Sequence, residues 1–378
     1  MRLGLNLLYL APGETGGSEI YARQLVPALA ALRPGEPIWV FVSRELADEL
    51  REDPWCDGLR VVRLPISART RARRVAGEQS LLPAAAARAG VTVLHSLGTT
   101  APALIRGRSV VTIHDLIYKH FPDAHGGLLA AGMALLVPLA ARRATRIVAI
   151  SEAVKNDIVS FLRVPESRID VVRHGPGAES VAKPSAEGEL RTRLGLGDAP
   201  IVFSPSAHRP HKNLDRLIDA FARVRHDPEP LLLIPGYPTG HEAALVNMAR
   251  VAGVERRVRL LGWLSQGDFE ALYRMASFLA FPSLAEGFGL PVVEAMQRGT
   301  PVLCSHIPAL VELVGDAALV VDPYSVEELA AGMGRLLGDE RLRGVLSERG
   351  RDRVRAMSWE RAAELTLASY ERALSTGR

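Results

Sequence analysis

Short apolar runs alternate along the whole chain with longer stretches in which apolar residues recur at helical spacing. The first run, Leu3–Tyr9, is interrupted only by Gly4 and Asn6, and the stretch Glu19–Leu32 then has the spacing of a helix. Runs of Val, Ile and Leu between helices are typical of parallel sheets that are covered on both faces. The pattern therefore predicts an α/β protein built from Rossmann-like, doubly wound parallel sheets.

This strand–helix pattern occurs twice. The first set of predicted strands is Leu3–Tyr9, Ile38–Val42, Leu59–Leu64, Val91–His95, Val110–His114, Ile147–Ile150 and Ile169–Val172. Gly175-Pro176-Gly177 and the polar run Glu179–Glu189 interrupt it. The second set is Ile201–Ser204, Leu231–Pro235, Val258–Leu261, Phe278–Phe281, Pro301–Cys304 and Leu319–Val321. We predict an N-terminal domain over residues 1–177, a linker over 178–195, a second domain over 196–357 and a closing helix within 358–378.

Length and charge agree with this division. A chain of 378 residues is long enough for two domains of about 100–200 residues each. The net charge is only +4, and basic residues are not interleaved with aromatic ones, so we expect no nucleic-acid partner. Arg69, Arg71, Arg73 and Arg74 form one basic run, which we interpret as a solvated helix face. A surface for an anionic acceptor or an acidic membrane is the alternative.

The cysteines and the apolar stretches indicate neither a disulfide framework nor a membrane span. Cys56 and Cys304 are far apart and lack the spacing of zinc ligands. The longest apolar stretch, Leu128–Ala141, has 14 residues including Pro138, whereas a membrane-spanning helix needs about 20. We therefore expect a buried helix there and a cytoplasmic protein, for which peripheral contact with the inner face of the membrane stays open.

The strongest candidate site lies between Glu286 and Glu294. This segment, EGFGLPVVE, follows a predicted strand, and Pro291 suits the first turn of a helix. Gly287 and Gly289 then offer exposed backbone N–H groups beside a helix N-terminus, an arrangement that suits a diphosphate. We expect Glu294 in the first helical turn, where the dipole favours a carboxylate that can accept hydrogen bonds from two vicinal hydroxyls. Glu286, before the helix, is placed to meet sugar hydroxyls.

A cationic segment, SPSAHRPHKN, follows the first strand of the second domain. Asn213 suits the N-cap of a helix over Leu214–Val224. Arg209 and Lys212 then lie at the positive end of a helix dipole, which is unfavourable unless an anion lies between them. A diphosphate leaving group gains charge as its bond breaks, so a fixed cation there lowers the barrier. Two solvated surface cations are the alternative.

Two further candidates lie in the first domain. Gly16 and Gly17 form a turn whose bare backbone can approach a phosphate or an acceptor, with a plain turn as the alternative. The glycines at positions 13, 16 and 17 do not form GxGxxG, which argues against a dinucleotide cofactor. His114 ends the strand Val110–His114 and is expected to face a ligand, although a lone histidine is usually structural.

These segments resemble the retaining glycosyltransferases of family 4, which have the GT-B architecture of two Rossmann-like domains facing across a cleft. The spacing from Glu286 to Glu294 matches the paired-glutamate signature of that family. Lys212-Asn213 is similar to its lysine–asparagine segment, and His114-Asp115 to its His-Asp segment. The similarity is greatest to bacterial mannosyltransferase-like and rhamnosyltransferase-like members.

The resemblance implies roles for individual residues. The implied catalytic residues are His114, Lys212 and Glu286. The implied donor-binding residues are Gly16, Gly17, Ser206, Arg209, Lys212, Trp263, Leu264, Glu286, Gly287, Phe288, Gly289, Leu290 and Glu294. Trp263-Leu264 stands where relatives hold the nucleobase, with packing in the core as the alternative for Trp263. Because His211 precedes Lys212, a departure from the family pattern, the pairing of cations with phosphates stays open.

The resemblance also implies a hexosyltransferase that retains the anomeric configuration and needs no metal and no cofactor. The first domain would hold a glycan or lipid-linked acceptor, and the second a nucleotide-diphosphate sugar. GDP-mannose is the first expectation for this donor, with UDP-glucose and UDP-N-acetylglucosamine as alternatives. The competing functions are a sugar-nucleotide epimerase of the same architecture, whose acid–base groups we do not find, and a catalytically silent nucleotide-binding subunit.

Overall fold

A computed structural model describes residues 1–14, 16–121, 128–177, 183–236 and 240–376, without the side chains of 128–131. The chain divides into two compact units. Unit 1 contains Met1–Gly175 and Met357–Arg378, and unit 2 contains Pro176–Ala356. Each unit has its own parallel sheet with helices beside it.

Unit 1 is built on a seven-stranded sheet in the order β3-β2-β1-β4-β5-β6-β7. The strands are β1 (Leu3–Asn6), β2 (Ile38–Val42), β3 (Arg60–Arg63), β4 (Val93–Ser96), β5 (Arg108–Ile113), β6 (Arg146–Ala149) and β7 (Ile169–Val171). The helices are α1 (Gly17–Ala31), α2 (Arg44–Glu49), α3 (Arg71–Arg88), α4 (Ile117–His120), α5 (Leu128–Arg143), α6 (Glu152–Leu162) and the closing helix α15 (Trp359–Ser375). All described strand pairs in it are parallel.

The order of this sheet reverses between β1 and β4. Leu3 of β1 pairs with Ile38 on one side and with Val93 on the other. Strands β1, β2 and β4 are buried along their whole length. Helix α15 packs on α1 and on β4 to β6, and its Trp359 and Tyr370 belong to the same core as Leu3. The closing helix is therefore part of the core of unit 1.

Unit 2 is built on a six-stranded parallel sheet in the order β10-β9-β8-β11-β12-β13. The strands are β8 (Ile201–Phe203), β9 (Leu231–Pro235), β10 (Val258–Leu261), β11 (Phe278–Phe281), β12 (Val302–Ser305) and β13 (Leu319–Val321). The helices are α7 (Glu187–Leu194), α8 (Leu214–Arg223), α9 (Glu242–Val251), α10 (Gln266–Met275), α11 (Leu290–Arg298), α12 (Pro308–Val314), α13 (Val326–Gly338) and α14 (Glu340–Arg355). Here the order reverses between β8 and β11.

The predicted fold class is confirmed, and all thirteen predicted strands are present. The first strand is shorter than expected because Oδ1 of Asn6 accepts a 3.1 Å hydrogen bond from the Leu8 N–H, which turns the chain. Part of the segment predicted as a linker is helix α7, which packs on α10. Residues 178–182 of that segment lie outside the described residues.

Helix α5 covers the long apolar stretch and differs from the expectation of a buried helix. Val137 and Ala140 are buried, whereas Leu135 is 69% exposed. The helix therefore has one buried face and one face that carries an exposed leucine. Within the ranges that the structure describes, no helix combines the length and the apolar character that crossing a bilayer requires.

Candidate functional site

The main candidate site lies where the order of the unit 2 sheet reverses. In open parallel sheets, ligands bind beyond the carboxyl ends of the two strands between which the chain connections diverge. In unit 2 these strands are β8 and β11. The loop after β8 carries Lys212, at the end of a 3₁₀ turn over Pro210–Lys212, and the loop after β11 carries Glu286. Both residues follow strands, as the sequence predicted, and the two loops lie at the same edge of the sheet.

Lys212 and Glu286 form an ion pair. The Lys212 Nζ lies 2.6 Å from Oε1 of Glu286, and the two side chains are 17% and 10% exposed. The same ammonium group lies 5.3 Å from the ring centroid of Phe281, the last residue of β11. The backbone joins the two loops as well, since the Leu284 N–H donates a 2.8 Å hydrogen bond to the His211 carbonyl. A cation and a carboxylate are thus held together in a partly shielded environment.

Asn213 is the N-cap residue of α8, as the sequence predicted, but its side chain joins the same two loops and does not cap the helix. Its backbone is left-handed, with φ 59°, and its side chain makes no cap hydrogen bond. Nδ2 donates instead to the carbonyls of Pro282 (3.0 Å) and Pro323 (2.7 Å), while Oδ1 accepts from Arg216. The amide therefore fixes the position of Lys212 relative to the loop after β11.

Helix α11 begins at the end of the glycine-rich segment. Gly289 has φ 104°, and its carbonyl accepts hydrogen bonds from the N–H groups of Val292 and Val293. No described residue accepts a hydrogen bond from the N–H of Gly289 or Leu290. Gly287, Phe288 and Gly289 are buried rather than exposed, because Phe288 packs into the interior with 5% exposure. The N–H groups available to an anion are thus those at the helix start itself.

Glu294 is the fifth residue of α11, so the expectation that it lies in the first turn is wrong. The helix starts at Leu290, before Pro291, and the dipole effect is concentrated in the first turn. Burial raises the pKa of the Glu294 carboxyl, and a hydrogen bond from Tyr273 opposes that rise. Oη of Tyr273 lies 2.8 Å from Oε2. A tertiary contact therefore supports the carboxylate where the sequence suggested a helix dipole.

Four other predicted donor-binding residues follow strands of unit 2. The Ser206 N–H donates to the Pro235 carbonyl at 3.1 Å, and its buried Oγ has no partner among the described residues. Arg209 immediately precedes the turn that ends at Lys212 and is partly buried. Trp263 is 78% exposed, so its alternative as a core residue is wrong, whereas Leu264 beside it is partly buried.

The predicted residues of unit 1 also lie beyond strand ends. Gly16 is exposed, has φ 63° and precedes α1, whose first residue is Gly17. Glu19 organises this turn, because its Oε2 accepts a 2.9 Å hydrogen bond from the Gly13 N–H. Arg23 in turn pairs with the other oxygen of Glu19. The turn follows β1, one of the two strands between which the unit 1 sheet reverses.

His114 follows β5 and is partly buried. Its Nε2 lies 2.7 Å from the Leu97 carbonyl oxygen, an acceptor, so Nε2 carries the proton and Nδ1 is left as an acceptor. The ring of Tyr21 meets it edge-on at 4.9 Å between centroids. Burial lowers the pKa of the imidazole, which favours the neutral ring.

A buried network of side-chain hydrogen bonds, which the sequence did not reveal, lies behind His114. Nδ1 of His95 lies 2.7 Å from the Tyr370 hydroxyl, and Nε2 lies 2.8 Å from the Thr112 hydroxyl. Thr112 is in turn 2.9 Å from the hydroxyl of Tyr21. Burial lowers the pKa of His95 to about 3, so this ring is a neutral structural group.

Tyr273 and the Arg298–Glu270 ion pair are further residues of the unit 2 site that sequence analysis missed. They lie on α10 and α11, in stretches where the sequence shows only ordinary amphipathic helices. Their contacts depend on how the two helices pack, and the sequence carries no local signal for this. The prediction of a solvated helix face holds for part of the basic run only. Arg71 and Arg73 are exposed at the start of α3, whereas Arg74 is partly buried and Arg69 lies before the helix, where it pairs with Glu14 at 3.0 Å.

Two protein-family models together match most of the chain. The description "Glycosyltransferase Family 4" matches residues 15–176, and "Glycosyl transferases group 1" matches residues 187–353. The O-antigen chain mannosyltransferase B of Escherichia coli is 28% identical over 271 residues, which cover 70% of each protein. The MMP alpha-(1->4)-mannosyltransferase of Mycolicibacterium hassiacum is 34% identical over 241 residues, which cover 62% of this chain but only 56% of that relative.

Solved structures with the same fold cover the whole chain. Sucrose-phosphate synthase from Thermosynechococcus elongatus superposes with a TM-score of 0.76 at 21% identity, over 100% of both chains. HepE from Anabaena, in complex with UDP and glucose, gives a TM-score of 0.75 at 20% identity over 98% and 99% of the two chains. At these identities the structures establish the GT-B fold alone. With both family matches, the chain belongs to the glycosyltransferases that join a Family 4 domain to a group 1 domain.

Proposed function

We propose that this protein transfers a hexose from a nucleotide-diphosphate sugar to a glycan or lipid-linked acceptor, with retention of the anomeric configuration. The observation that carries the proposal is the Lys212–Glu286 ion pair, 2.6 Å long, at the point where the unit 2 sheet reverses. The N–H groups of Gly289 and Leu290, which have no acceptor among the described residues, follow Glu286 closely in the chain at the start of α11. A cation, a helix start and a carboxylate are the groups that a sugar diphosphate needs.

Each group has a distinct task in this proposal. The diphosphate accepts hydrogen bonds from the start of α11, and Lys212 neutralises the charge that grows as the bond to the sugar breaks. Arg209 and the Ser206 hydroxyl belong to the same loop and assist in binding the phosphates. Glu286 accepts hydrogen bonds from sugar hydroxyls, and Glu294 accepts them from the ribose. Trp263 and Leu264, on the loop after β10, approach the nucleobase.

The residues of unit 1 act on the sugar and the acceptor. His114 is neutral, and its Nδ1 is an acceptor for a hydroxyl group, because the Leu97 carbonyl holds the proton on Nε2. It therefore orients a hydroxyl and is not required as a general base. In a retaining reaction of this type the departing phosphate takes the proton of the acceptor on the face from which the acceptor attacks. Gly16 and Gly17 allow close approach of the backbone.

Mannose is our first choice for the transferred sugar, and GDP-mannose for the donor. Both relatives described above are named mannosyltransferases, which supports this choice. UDP-glucose and UDP-N-acetylglucosamine are the next donors to test. We propose that neither a metal nor a cofactor takes part in the transfer, since Lys212 and the helix start supply the positive charge that the diphosphate requires.

Thermal unfolding with GDP, UDP, ADP and their sugar conjugates tests the proposal. Ligand at 100 times its dissociation constant stabilises a protein by about 2.7 kcal/mol, which shifts the melting temperature measurably. We expect one nucleoside diphosphate to give a clear shift that persists in EDTA. The matching sugar nucleotide should then undergo transfer or slow hydrolysis, with the α-anomeric product identified by NMR for an α-linked donor.

Other outcomes separate the competing functions. Conversion of the donor into a different sugar nucleotide would indicate an epimerase, and binding without turnover would indicate a silent subunit. The absence of a shift with every nucleotide would contradict the proposal as a whole. A shift that EDTA abolishes would contradict only its metal-independent part.

A further inference from the structure

Among the described residues, only Tyr273 donates a hydrogen bond to the carboxylate of Glu294. Oη of Tyr273 donates to Oε2 over 2.8 Å, and no described donor bonds Oε1. Gly177 passes beside the other oxygen, since a Cβ on this residue would lie 3.4 Å from Oε1 and 3.1 Å from Cγ. Oε1 is therefore left for a ligand, next to a backbone that carries no side chain.

The hydroxyl of Tyr273 is held firmly in place. Tyr273 is buried, and its ring meets Phe203 and Phe269 edge-on at centroid distances of 5.0 and 5.7 Å. Its carbonyl accepts a 2.6 Å hydrogen bond from the hydroxyl of Thr300. The Arg298 guanidinium lies 4.9 Å from the ring centroid. The ring that carries this hydroxyl is therefore packed on several sides.

The charged groups that act on Glu294 come from α10 and α11. They are Glu270 and Arg298, whose side chains are 4% and 9% exposed and pair with each other through both carboxylate oxygens. Helix α14, which also packs on α11, brings Arg351 to Gly299 at the opposite end of that helix. Arg298 is thus largely neutralised by Glu270. Burial raises the pKa of Glu294, and among the groups that lower it the hydrogen bond from Tyr273 has the largest effect.

We infer that Tyr273 is a positioning residue for nucleotide binding: its hydroxyl fixes the Glu294 carboxylate so that Oε1 meets the vicinal diol of a ribose. This inference rests on the proposed function, in which Glu294 binds that ribose. Burial also raises the pKa of the Tyr273 hydroxyl, so the group remains a donor and Glu294 the acceptor. Tyr273 itself need not touch the ligand.

The Tyr273→Phe variant tests the inference through the pH dependence of binding. A carboxylate with a raised pKa binds a diol fully above that pKa and loses the diol as the pH falls through it. Removing a donor to the charged form moves this loss to higher pH. The nucleotide is GDP, or UDP or ADP if one of these binds more tightly. Calorimetry should show the affinity of the variant falling further below that of wild type as the pH is lowered, by up to about tenfold, and returning to within about threefold of wild type as the pH is raised.

Two controls make the test specific. In the Glu294→Gln background the Tyr273→Phe change should alter affinity less than about twofold, because the group through which it acts is gone. Tyr370→Phe removes another buried tyrosine hydroxyl, in unit 1, and should leave the pH profile of nucleotide binding unchanged. If Tyr273→Phe is poorly folded, 3-fluorotyrosine at position 273 keeps the hydroxyl, strengthens its donation and should move the loss of binding to lower pH.

The outcomes distinguish this inference from the proposed function. If Glu294→Gln binds the nucleotide as wild type does, the ribose assignment fails. If Glu294→Gln weakens binding while Tyr273→Phe keeps the wild-type pH profile, Tyr273 is not a positioning residue and the proposed function stands. An equal loss in Tyr273→Phe at all pH values would also overturn the inference, since it would indicate a structural effect alone.

Discussion

Nζ of Lys212 and Oε1 of Glu286 lie 2.6 Å apart although 74 residues separate them in the chain. The Lys212→Ala change leaves Glu286 largely buried without its counterion and removes the cation next to the proposed diphosphate. We expect the free energy of unfolding to fall by about 1–3 kcal/mol. We also expect nucleotide diphosphate affinity to fall at least about tenfold, the equivalent of one lost charged hydrogen bond. Calorimetric titration and urea unfolding measure the two effects.

Arg223→Ala is the matched control, because Arg223 also forms a side-chain ion pair in unit 2, with Glu327, but at an exposed position. It should bind nucleotide as wild type does. Unchanged nucleotide affinity in Lys212→Ala would contradict the role proposed for the lysine, whatever the effect on stability.

Glu286→Gln should separate chemistry from nucleotide binding. The amide keeps the shape of the side chain but removes the charge that pairs with Lys212 and receives sugar hydroxyls. We expect the Kd of the nucleoside diphosphate to change less than about threefold, and kcat for transfer to fall about a hundredfold or more. Steady-state kinetics and titration of the same preparation provide the comparison. A variant that retains full kcat would show that Glu286 does not contact the sugar productively.

Sequence patterning sufficed for the fold because both sheets follow one rule, apolar strands between helices. It also placed Lys212 and Glu286 correctly beyond strand ends, since in a parallel sheet the loops after neighbouring strands meet at one edge. It failed where a contact depends on packing. The Asn213 amide bonds two carbonyls on other loops, and Glu294 depends on a tyrosine from another helix. Such contacts have no fixed spacing along the chain.

Gly289→Ala should be destabilising for two reasons. The residue has φ 104°, which side chains rarely tolerate, and a Cβ would lie 2.7 Å from Cδ2 of Leu310. Strain of this kind costs about 1–3 kcal/mol. Calorimetric unfolding should show the loss together with weaker nucleotide binding, because the start of α11 moves.

Gly188→Ala provides the comparison within the same unit. Gly188 lies in α7, and nothing is within 4 Å of the position of its Cβ. This change should stabilise the protein by roughly 0.5 kcal/mol, since alanine favours the helix. Equal effects of the two substitutions would argue against strain at residue 289.

Unit 1 should lose stability as the pH falls below about 6.5, the ordinary pKa of histidine. Burial lowers the pKa values of His95, to about 3, and of His114 and His174. The unfolded chain therefore binds protons that the folded unit does not, and each such histidine contributes a slope of up to about 1.4 kcal/mol per pH unit. His95→Gln should reduce this slope by the contribution of one histidine.

Tryptophan fluorescence during urea unfolding can follow this change, because Trp39, Trp55 and Trp359 all belong to unit 1. His306→Gln, an exposed position in unit 2, is the control and should leave the slope for unit 1 unchanged. A slope in His95→Gln as steep as that of wild type would show that folding does not lower the pKa of His95.

Helix α15 has a consequence for synthesis on the ribosome. Trp359 and Tyr370 complete a core whose other members, such as Leu3 and Val40, are translated first. Unit 2 lies between the two parts of unit 1 in the chain. All its residues are therefore translated before helix α15, which completes the core of unit 1. Domains fold as units during translation, so unit 2 can mature first while nascent unit 1 still exposes apolar surface. The segment made earliest is thus the one whose apolar surface stays uncovered longest.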